Sequence, residues 1–475
     1  AGNYNWICPY SHEITHGITL SLVAICLAWR NSLDRRWWSA AGSGLALGLV
    51  FLTKPEVFLA AVLGIGAFGV VTVRQSRLGA FDTARMIITW AGAAILPSVV
   101  AFCLLSIKLP VPGAFAGTLG AWPYVFDVRI TGNPYFRSLM GTNDLPANLT
   151  AIAESAAAYA ALLAAIVGLS LVFGRARSSL WQGAAVAFLI IVVPLWLGRE
   201  LVPWEAMARP WPLFLVIMLA SAAMAIRRQT LDPQAASALS LRISLLVFSL
   251  ALLFKVFFNA RVMHYGFGLA MPAAMMLIAA AWSWLPPLVA RFGGQPAVFR
   301  AGLCAVWVVV MLVHIEISNN VFAGKTHPVG AGGDRFLADG RGEFVAAAVD
   351  YLQQHSQPDE TVAVMPEGIM INYLARRRTP GKFQVYLVPE MLMFGEQEML
   401  AELKQKPPEW LVLVHRDDSE YGHRFFGRDY GQGFGEWIRE NYQGAQLFGA
   451  HPLTGPYFGV LITRRADTMR PRPAG

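Results

Sequence analysis

The stretch IITWAGAAILPSVVAFCLLSI, residues 87–107, contains no charged side chain. As a helix rising about 1.5 Å per residue it would be about 30 Å long, which matches the hydrocarbon core of a bilayer. Similar apolar segments recur along the first two thirds of the chain, and we expect ten spans at about residues 14–29, 37–53, 57–73, 87–107, 151–173, 180–197, 211–226, 241–258, 266–285 and 301–317. The pattern predicts a mainly α-helical polytopic membrane protein.

Composition supports this class. Of the 475 residues, 55% are hydrophobic and only 14% are charged, which is too apolar for a soluble enzyme. The net charge of +8 is spread over short loops without a basic run, so we expect no nucleic-acid partner. Three of the four cysteines fall inside apolar segments, which argues against a disulfide framework.

The arginines between the apolar segments predict the orientation. They concentrate in alternate loops and include Arg30, Arg35, Arg36, Arg74, Arg77, Arg85, Arg175, Arg177, Arg227, Arg228, Arg291 and Arg300. The positive-inside rule makes that side cytoplasmic and puts residues 1–13, 54–56, 108–150, 198–210, 259–265 and the tail outside. Because the chain starts outside, we expect an odd number of further spans upstream, and therefore an incomplete N-terminal region.

The tail differs in character from the rest of the chain. We place a boundary near Asn319, with a membrane domain over 1–318 and a second domain over 319–475. Helix-like segments such as EFVAAAVDYLQQ alternate there with strand-like ones such as TVAVMP and EWLVLVHR, which predicts an extracytoplasmic α/β domain. GAGGDRF, just after the last span, is interpreted as a linker because no strand precedes it.

PYSHEITHG, residues 9–17, contains a His-Glu-x-x-His pattern. On a helix, His12 and His16 lie on one face and could bind zinc, with Glu13 polarising a water molecule. A membrane metalloprotease also needs a third ligand, usually an Asp in a later span, and the apolar spans contain none. Glu56 could serve in principle, so zinc binding by His12 and His16 stays a minority interpretation.

Charged residues gather at the predicted outer membrane face, where they are costly and often functional. Lys54 and Glu56 flank Pro55 in a tight turn between two spans, where they either face a cavity or, in the case of Lys54, extend toward lipid headgroups. Lys255, Arg261, His264 and Tyr265 mark a second such region, whose cations suit a phosphate or form a solvated loop.

Five stretches together resemble bacterial members of the GT-C glycosyltransferase superfamily, which are related to protein O-mannosyltransferases and to lipid A aminoarabinose transferases. They are NYNWICPYSHEITHG (3–17), GLALGLVFLTKPEVFLA (44–60), LLFKVFFNARVMHYGFGLAMPA (252–273), PEGIMINYLARRR (366–378) and FFGRDYGQGFGEWI (425–438). The resemblance implies transfer of a sugar from a polyprenyl-phosphate donor to an extracytoplasmic lipid, glycan or protein, with inversion at the anomeric carbon. It also implies a bacterial inner membrane location. Transport of a lipid-linked sugar is a further alternative.

The resemblance also implies roles for particular residues. Glu13 matches an acidic residue of the second outer loop, and we expect it to act in catalysis with His12 and Glu56. Lys54 is the candidate for holding the donor phosphate, assisted by Lys255, Arg261, His264 and Tyr265. A carboxylate accepts the acceptor's proton while cations neutralise the departing phosphate. A divalent cation, Mg²⁺ or Mn²⁺, is left open as a cofactor.

The loop 108–150 combines aromatic and charged side chains, which suits sugar binding and equally suits a membrane-interface belt. The candidates for binding the sugar or the acceptor are Tyr124, Asp127, Tyr135 and Arg137. In the tail, Glu367 and Arg376–Arg378 could reach an anionic acceptor or form a solvated helix end. Asp417, Asp418, Asp429 and Tyr430 could be loop residues without chemistry.

Overall fold

The computed structural model describes residues 12–76, 80–175, 180–228, 233–262 and 265–469. The chain divides into two compact units. The first unit comprises Ala1–Val125 and Ser138–Ser318, and the second comprises Phe126–Arg137 and Asn319–Gly475. The predicted boundary puts all of 1–318 in one domain, whereas in the structure Phe126–Arg137 packs with the tail. Two contacts hold it there: the Tyr135 ring lies 5.0 Å from that of Tyr421, and the Asn133 amide donates to the Tyr421 carbonyl.

Fourteen helices precede the tail in the described part of the chain. They are α1 (His12–Asp34), α2 (Trp37–Phe51), α3 (Pro55–Ser76), α4 (Ala80–Ser106), α5 (Val111–Leu119), α6 (Val128–Thr131), α7 (Pro134–Met140), α8 (Leu145–Arg175), α9 (Leu180–Leu197), α10 (Trp211–Arg228), α11 (Pro233–Leu253), α12 (Tyr265–Ala279), α13 (Leu285–Arg291) and α14 (Pro296–Ala323). Each predicted span overlaps at least one of these helices. The span 266–285 covers α12, the π-helical turn Ala280–Trp284 and the start of α13, and the span 241–258 extends beyond α11 into the 3₁₀ turn Phe254–Val256.

Eight helical segments are long and apolar enough to cross a membrane among the residues described. Two shorter apolar helices, Trp37–Phe51 and Trp181–Leu197, lie where the sequence predicts the other two spans. On α4, Ile88, Ile95 and Leu104 are 71%, 61% and 62% exposed. An apolar face of this kind suits lipid better than water. The chain is therefore a polytopic helical protein, as predicted.

Small residues allow α2 and α4 to pack closely. A Cβ atom added to Gly44 would lie 2.1 Å from the Trp90 carbonyl oxygen, and one added to Gly48 would lie 2.1 Å from that of Ala94. These two glycines form a Gly-x-x-x-Gly pattern, which brings apolar helices together where a larger residue would separate them. The Ser43 hydroxyl, which donates to the Ala24 carbonyl, adds a contact to α1.

A shared apolar core links α1, α2, α3 and α11. Its fully buried members include Ile14, Ile18, Ile25, Val50, Val57, Ala61, Phe248 and Leu252. The Ser244 hydroxyl of α11 donates to the Gly64 carbonyl of α3 at 2.8 Å, which joins the two helices where Gly64 leaves room. This core fixes the ends of the four helices relative to one another.

The segment 108–150, expected to be a loop, is mostly helical. It contains α5, α6, α7, the start of α8 and a 3₁₀ turn at Trp122–Tyr124. Pro110 and Pro134 stand at helix starts, where a missing backbone N–H costs nothing. The prediction of a loop over 108–150 therefore missed these short helices.

The tail begins with a two-stranded hairpin of β1 (His327–Val329) and β2 (Phe336–Ala338) around the GAGGDRF segment, so the predicted linker has structure of its own. The remaining elements are α15 (Arg341–His355), β3 (Val362–Met365), α16 (Ile369–Ala375), α17 (Val388–Phe394), α18 (Glu396–Gln405), β4 (Trp410–Val414), α19 (Gln432–Asn441), β5 (Tyr442–Gly449) and β6 (Gly459–Arg465). The sheet order is β3-β4-β6-β5, with only β3 and β4 parallel.

Alternate residues of the central strands enter two separate cores. Ala363, Met365 and Leu411 pack with residues of α17, α18 and α19, whereas Val364 and Val412 pack with residues of α15 and α16. Side chains of a strand point alternately to opposite faces, so a sheet covered on both faces needs apolar residues at every position. The predicted α/β character of the tail is confirmed.

Candidate functional site

Glu13 and Lys54 meet in the first unit. Glu13 lies in the first turn of α1, where the helix dipole favours a carboxylate, and Lys54 lies in the turn between α2 and α3. Helix α1 approaches this turn closely because Gly17 has no side chain. A Cβ atom at Gly17 would lie only 2.7 Å from the Thr53 hydroxyl oxygen. The Lys54 Nζ atom is 3.2 Å from Glu13 Oε1.

Glu56 and Lys255 form a second pair. Glu56 stands in the first turn of α3, and Lys255 lies in the 3₁₀ turn Phe254–Val256 that follows α11. The contact between α3 and α11 brings Lys255 Nζ to 2.8 Å from Glu56 Oε1. Lys54 also attracts the Glu56 carboxylate. We call Glu13, Lys54, Glu56 and Lys255 the charged tetrad.

The charged tetrad is balanced and partly accessible. It contains two carboxylates and two ammonium groups, with side chains 46% exposed for Glu13, 23% for Lys54, 27% for Glu56 and 38% for Lys255. Ion pairs this exposed stabilise a fold by only about 0.2–1 kcal/mol each. An ammonium group on a flexible stem can therefore exchange a carboxylate for a phosphate oxygen at small cost to the fold.

An apolar groove adjoins the Lys54 turn. Its volume is about 380 Å³, and its lining comprises Phe51, Leu52, Thr53, Pro55, Ala101, Leu104, Leu105 and residues 117–122. Trp122 closes one side: its ring stacks on Phe51 at 5.0 Å and its indole N–H donates to the Phe51 carbonyl. Trp122 was not among the predicted site residues, because an interface tryptophan and a groove wall look the same in sequence.

Two arginines form another basic feature of the first unit. Arg209 lies close enough to Arg261 for repulsion between their guanidinium groups. Arg209 donates to the Asn148 side chain at 3.3 Å, while its buried Nε has no hydrogen-bond partner among the described residues. Arg261 donates to Asn259. Arg209 was not among the predicted site residues. In the sequence it is marked only by its position between two apolar stretches, in MARPWP (207–212).

The two histidines of the HEITH stretch lie side by side. The His12 and His16 rings stack with centroids 5.8 Å apart, and both residues are exposed. No group of three or more His, Cys, Asp or Glu side chains able to hold a metal occurs among the residues described. Glu13 is instead paired with Lys54. Zinc binding, like binding of Mg²⁺ or Mn²⁺, remains a prediction.

The other predicted donor-site residues are less fully defined. His264 lies outside the described residues, and Tyr265 is the first residue of α12, with a side chain that is likewise not described. Of the five residues expected to bind the donor phosphate, the structure brings Lys54 and Lys255 into one cluster and places Arg261 beside Arg209.

The predicted acceptor residues divide between the two units. Tyr124 belongs to the first unit, whereas Asp127, Tyr135 and Arg137 belong to the second. Asp127 caps α6 and pairs with Arg129 at 2.6 Å. Hydrogen bonds from Arg129 hold the pKa of the Asp127 carboxyl below its usual range. These contacts give Asp127 a local structural role.

The tail residues singled out from the sequence have partners of their own. Arg376 pairs with Asp334, and the Arg377 guanidinium donates to the hydroxyl and carbonyl of Ser356. Glu367 pairs with Arg416 at 2.5 Å. Asp418 lies in a loop, as expected, but its side chain is fully buried and accepts hydrogen bonds from Arg416 and Tyr430. That it takes no part in chemistry stays a prediction.

No protein-family model matches the chain, and no curated protein matches it.

Proposed function

We propose that this protein is a membrane glycosyltransferase that moves a sugar from a polyprenyl-phosphate donor to an extracytoplasmic acceptor. The observation that carries the proposal is the charged tetrad beside an apolar groove. A lipid-linked sugar phosphate has a long apolar tail, an anionic link and a polar sugar. The groove offers apolar walls, Lys54 and Lys255 offer cations, and Glu13 offers a base.

The reaction follows from these groups. The bond between the anomeric carbon and the phosphate oxygen breaks, and the acceptor oxygen forms the new glycosidic bond. The acceptor proton passes to the Glu13 carboxylate, which acts as general base. Lys54 and Lys255 turn from the carboxylates to the phosphate oxygens and stabilise the departing polyprenyl phosphate. Attack opposite the phosphate inverts the anomeric carbon, as the GT-C resemblance implies.

The proposal also assigns roles to neighbouring groups. Glu56 holds Lys255 until the donor arrives. His12, one residue before Glu13 at the start of α1, orients the Glu13 carboxylate or contacts phosphate. The pair Arg209 and Arg261 adds positive charge, and the unsatisfied Arg209 Nε is a donor suited to a phosphate oxygen.

The distribution of arginines supports the orientation in which the charged tetrad and the tail face outside. The exposed apolar faces of helices such as α4 suit contact with membrane lipids. Together with the GT-C resemblance, these features support a location in a bacterial inner membrane. The acceptor is then an extracytoplasmic lipid, glycan or protein.

Transfer assays with substituted residues test the proposal. In the natural full-length protein, Glu13→Gln and Lys54→Ala should each lower transfer from radiolabelled polyprenyl-phosphate sugars by about 100-fold or more. Glu154→Gln and Lys108→Ala, which change exposed residues outside the charged tetrad, are the matched controls. Unchanged transfer in Glu13→Gln and Lys54→Ala would refute the catalytic assignment. Movement of the donor across proteoliposomes without any transfer would indicate a transporter instead.

A further inference from the structure

A polar cavity of about 620 Å³ lies within the second unit. Volumes of about 300–1,000 Å³ are usual for small-ligand sites. The lining residues include Glu367, His415, Arg416, Asp417, Glu420 and Phe458. Glu367 follows β3 by two residues, and His415 directly follows β4. The cavity therefore lies at the carboxyl ends of the two parallel strands, the edge at which α/β sheets commonly bind ligands.

Arg416 organises the acidic side of the cavity. Its guanidinium donates to Glu367 at 2.5 Å, to Asp418 at 2.6 Å and to Glu420 at 3.0 Å. Asp418 is fully buried and also accepts from the Tyr430 hydroxyl at 2.5 Å. Asp418 thereby fixes the Arg416 guanidinium, which in turn holds the carboxylates of Glu367 and Glu420. These two side chains are 41% and 45% exposed, and their remaining lone pairs can accept hydrogen bonds.

His415 supplies a donor. Its Nδ1 accepts the backbone N–H of Leu453 at 3.1 Å, so the neutral ring carries its proton on Nε2. Burial lowers the pKa of His415 below its usual 6.5, which keeps the ring neutral at pH 7. The Asp417 carboxylate is fixed by Arg424 at 2.9 Å.

An apolar wall faces these polar groups. Phe458 and Pro456 line the same cavity, and the Phe458 ring stacks on Phe344. Carboxylate acceptors, an imidazole donor and an aromatic ring together match a sugar, whose hydroxyls donate and accept and whose C–H faces cover a ring. The lining contains two arginines, Arg341 and Arg416, and three carboxylates, Glu367, Asp417 and Glu420. Its formal charge is therefore only −1, and the cavity offers hydrogen bonds more than net charge.

We propose that this cavity binds an uncharged saccharide. Glu367 and Glu420 accept its hydroxyl protons, the His415 Nε2–H donates to a hydroxyl oxygen, and Phe458 covers its apolar face. This binding goes beyond the proposed transferase reaction, because no residue of the charged tetrad takes part in it.

Saturation-transfer NMR on the full chain in nanodiscs tests the proposal. The probes are methyl glucoside and methyl N-acetylglucosaminide, with cationic glucosamine as the comparison. The two neutral glycosides should bind, and Glu367→Gln and Glu420→Gln should each weaken binding by about tenfold, the effect of one charge-assisted hydrogen bond. Glu440→Gln, an exposed acid outside the cavity, is the matched control and should bind as the unmodified protein does.

Lys54→Ala separates this proposal from the transferase, because it should lose transfer and keep saccharide binding. Three results would overturn the saccharide site. They are no binding of either neutral glycoside, equal binding in Glu420→Gln and in the unmodified protein, or binding of glucosamine alone.

Discussion

The two units use opposite kinds of charge cluster. In the first, two lysines lie against two carboxylates, Lys54 against Glu13 and Lys255 against Glu56, and all four side chains are between 23% and 46% exposed. In the second, the single Arg416 guanidinium contacts three carboxylates, and one of them, Asp418, is completely buried. A lysine ammonium group at an accessible site can exchange one carboxylate for another anion. A guanidinium held by a buried carboxylate can do so only at a large cost in free energy. This is the difference expected between a cluster that reacts, as we propose for the charged tetrad, and one that supports the fold.

Removing the buried carboxylate should give the largest loss of stability. Asp418→Ala leaves Arg416 and the Tyr430 hydroxyl without their anchor, and breaking a buried pair costs about 3–5 kcal/mol. Asp417→Ala is the matched control, since Asp417 is an exposed neighbour paired with Arg424, and should cost no more than about 1 kcal/mol. Thermal unfolding and limited proteolysis of the tail measure both. Equal losses of stability in the two variants would contradict the structural role assigned to Asp418.

Lys255→Met should show the reverse pattern. Removing this half-exposed ammonium should change stability by about 1 kcal/mol or less and lower sugar transfer by about 10–100-fold. Transfer rates at saturating donor and the unfolding midpoint, measured on one preparation, separate the two effects. A large loss of stability with normal transfer by the folded fraction would make Lys255 a structural residue.

Acidification should weaken the second unit through His415. Because burial lowers its folded-state pKa below 6.5, the folded state binds fewer protons than the unfolded state as pH falls through 6.5. The stability contribution is therefore complete above pH 6.5 and declines as pH falls toward the folded-state pKa. Asp417 favours the protonated ring and Arg424 opposes it, both less strongly than burial.

Unfolding midpoints of the tail between pH 7.5 and 5.5 measure this decline. In His415→Gln, whose amide oxygen can accept the Leu453 N–H, the decline should be smaller. An identical decline in both proteins would show that other groups cause it.

The smallest effect should come from the HEITH stretch. His16→Ala changes an exposed ring outside the charged tetrad and should leave transfer within about threefold of normal. Elemental analysis of the purified protein should show no zinc that depends on His12 and His16. Stoichiometric zinc, lost in His12→Ala and His16→Ala, would support the metalloprotease interpretation.

Local pattern was enough to predict the long helices and the central strands β3 and β4, but not the short helices of 108–150 or the pairing within the site. The apolar stretches predicted the positions of the long helices, and the short apolar run in TVAVMP predicted strand β3. Sequence placed Lys54 and Glu56 in one turn, yet their partners are Glu13 and Lys255. These pairings between different helices depend on close helix packing at Gly17 and Gly64, which no local sequence pattern specifies.

Other features depend on contacts that are remote in sequence. The assignment of Phe126–Arg137 to the second unit rests on the contacts of Asn133 and Tyr135 with Tyr421. Burial of Asp418 likewise follows from how its loop folds over Tyr430. Charged residues in such positions resemble ordinary loop residues until the tertiary structure places them.

Exchanging Glu13 and Lys54 tests most directly whether this pair acts chemically. The double variant Glu13→Lys with Lys54→Glu keeps one opposite-charge pair, so its stability should stay within about 1 kcal/mol of normal. It also moves the base and the cation to each other's positions, so we expect sugar transfer below about 1% of the normal rate. Sugar transfer near the normal rate in this double variant would contradict a chemical role for Glu13 and Lys54.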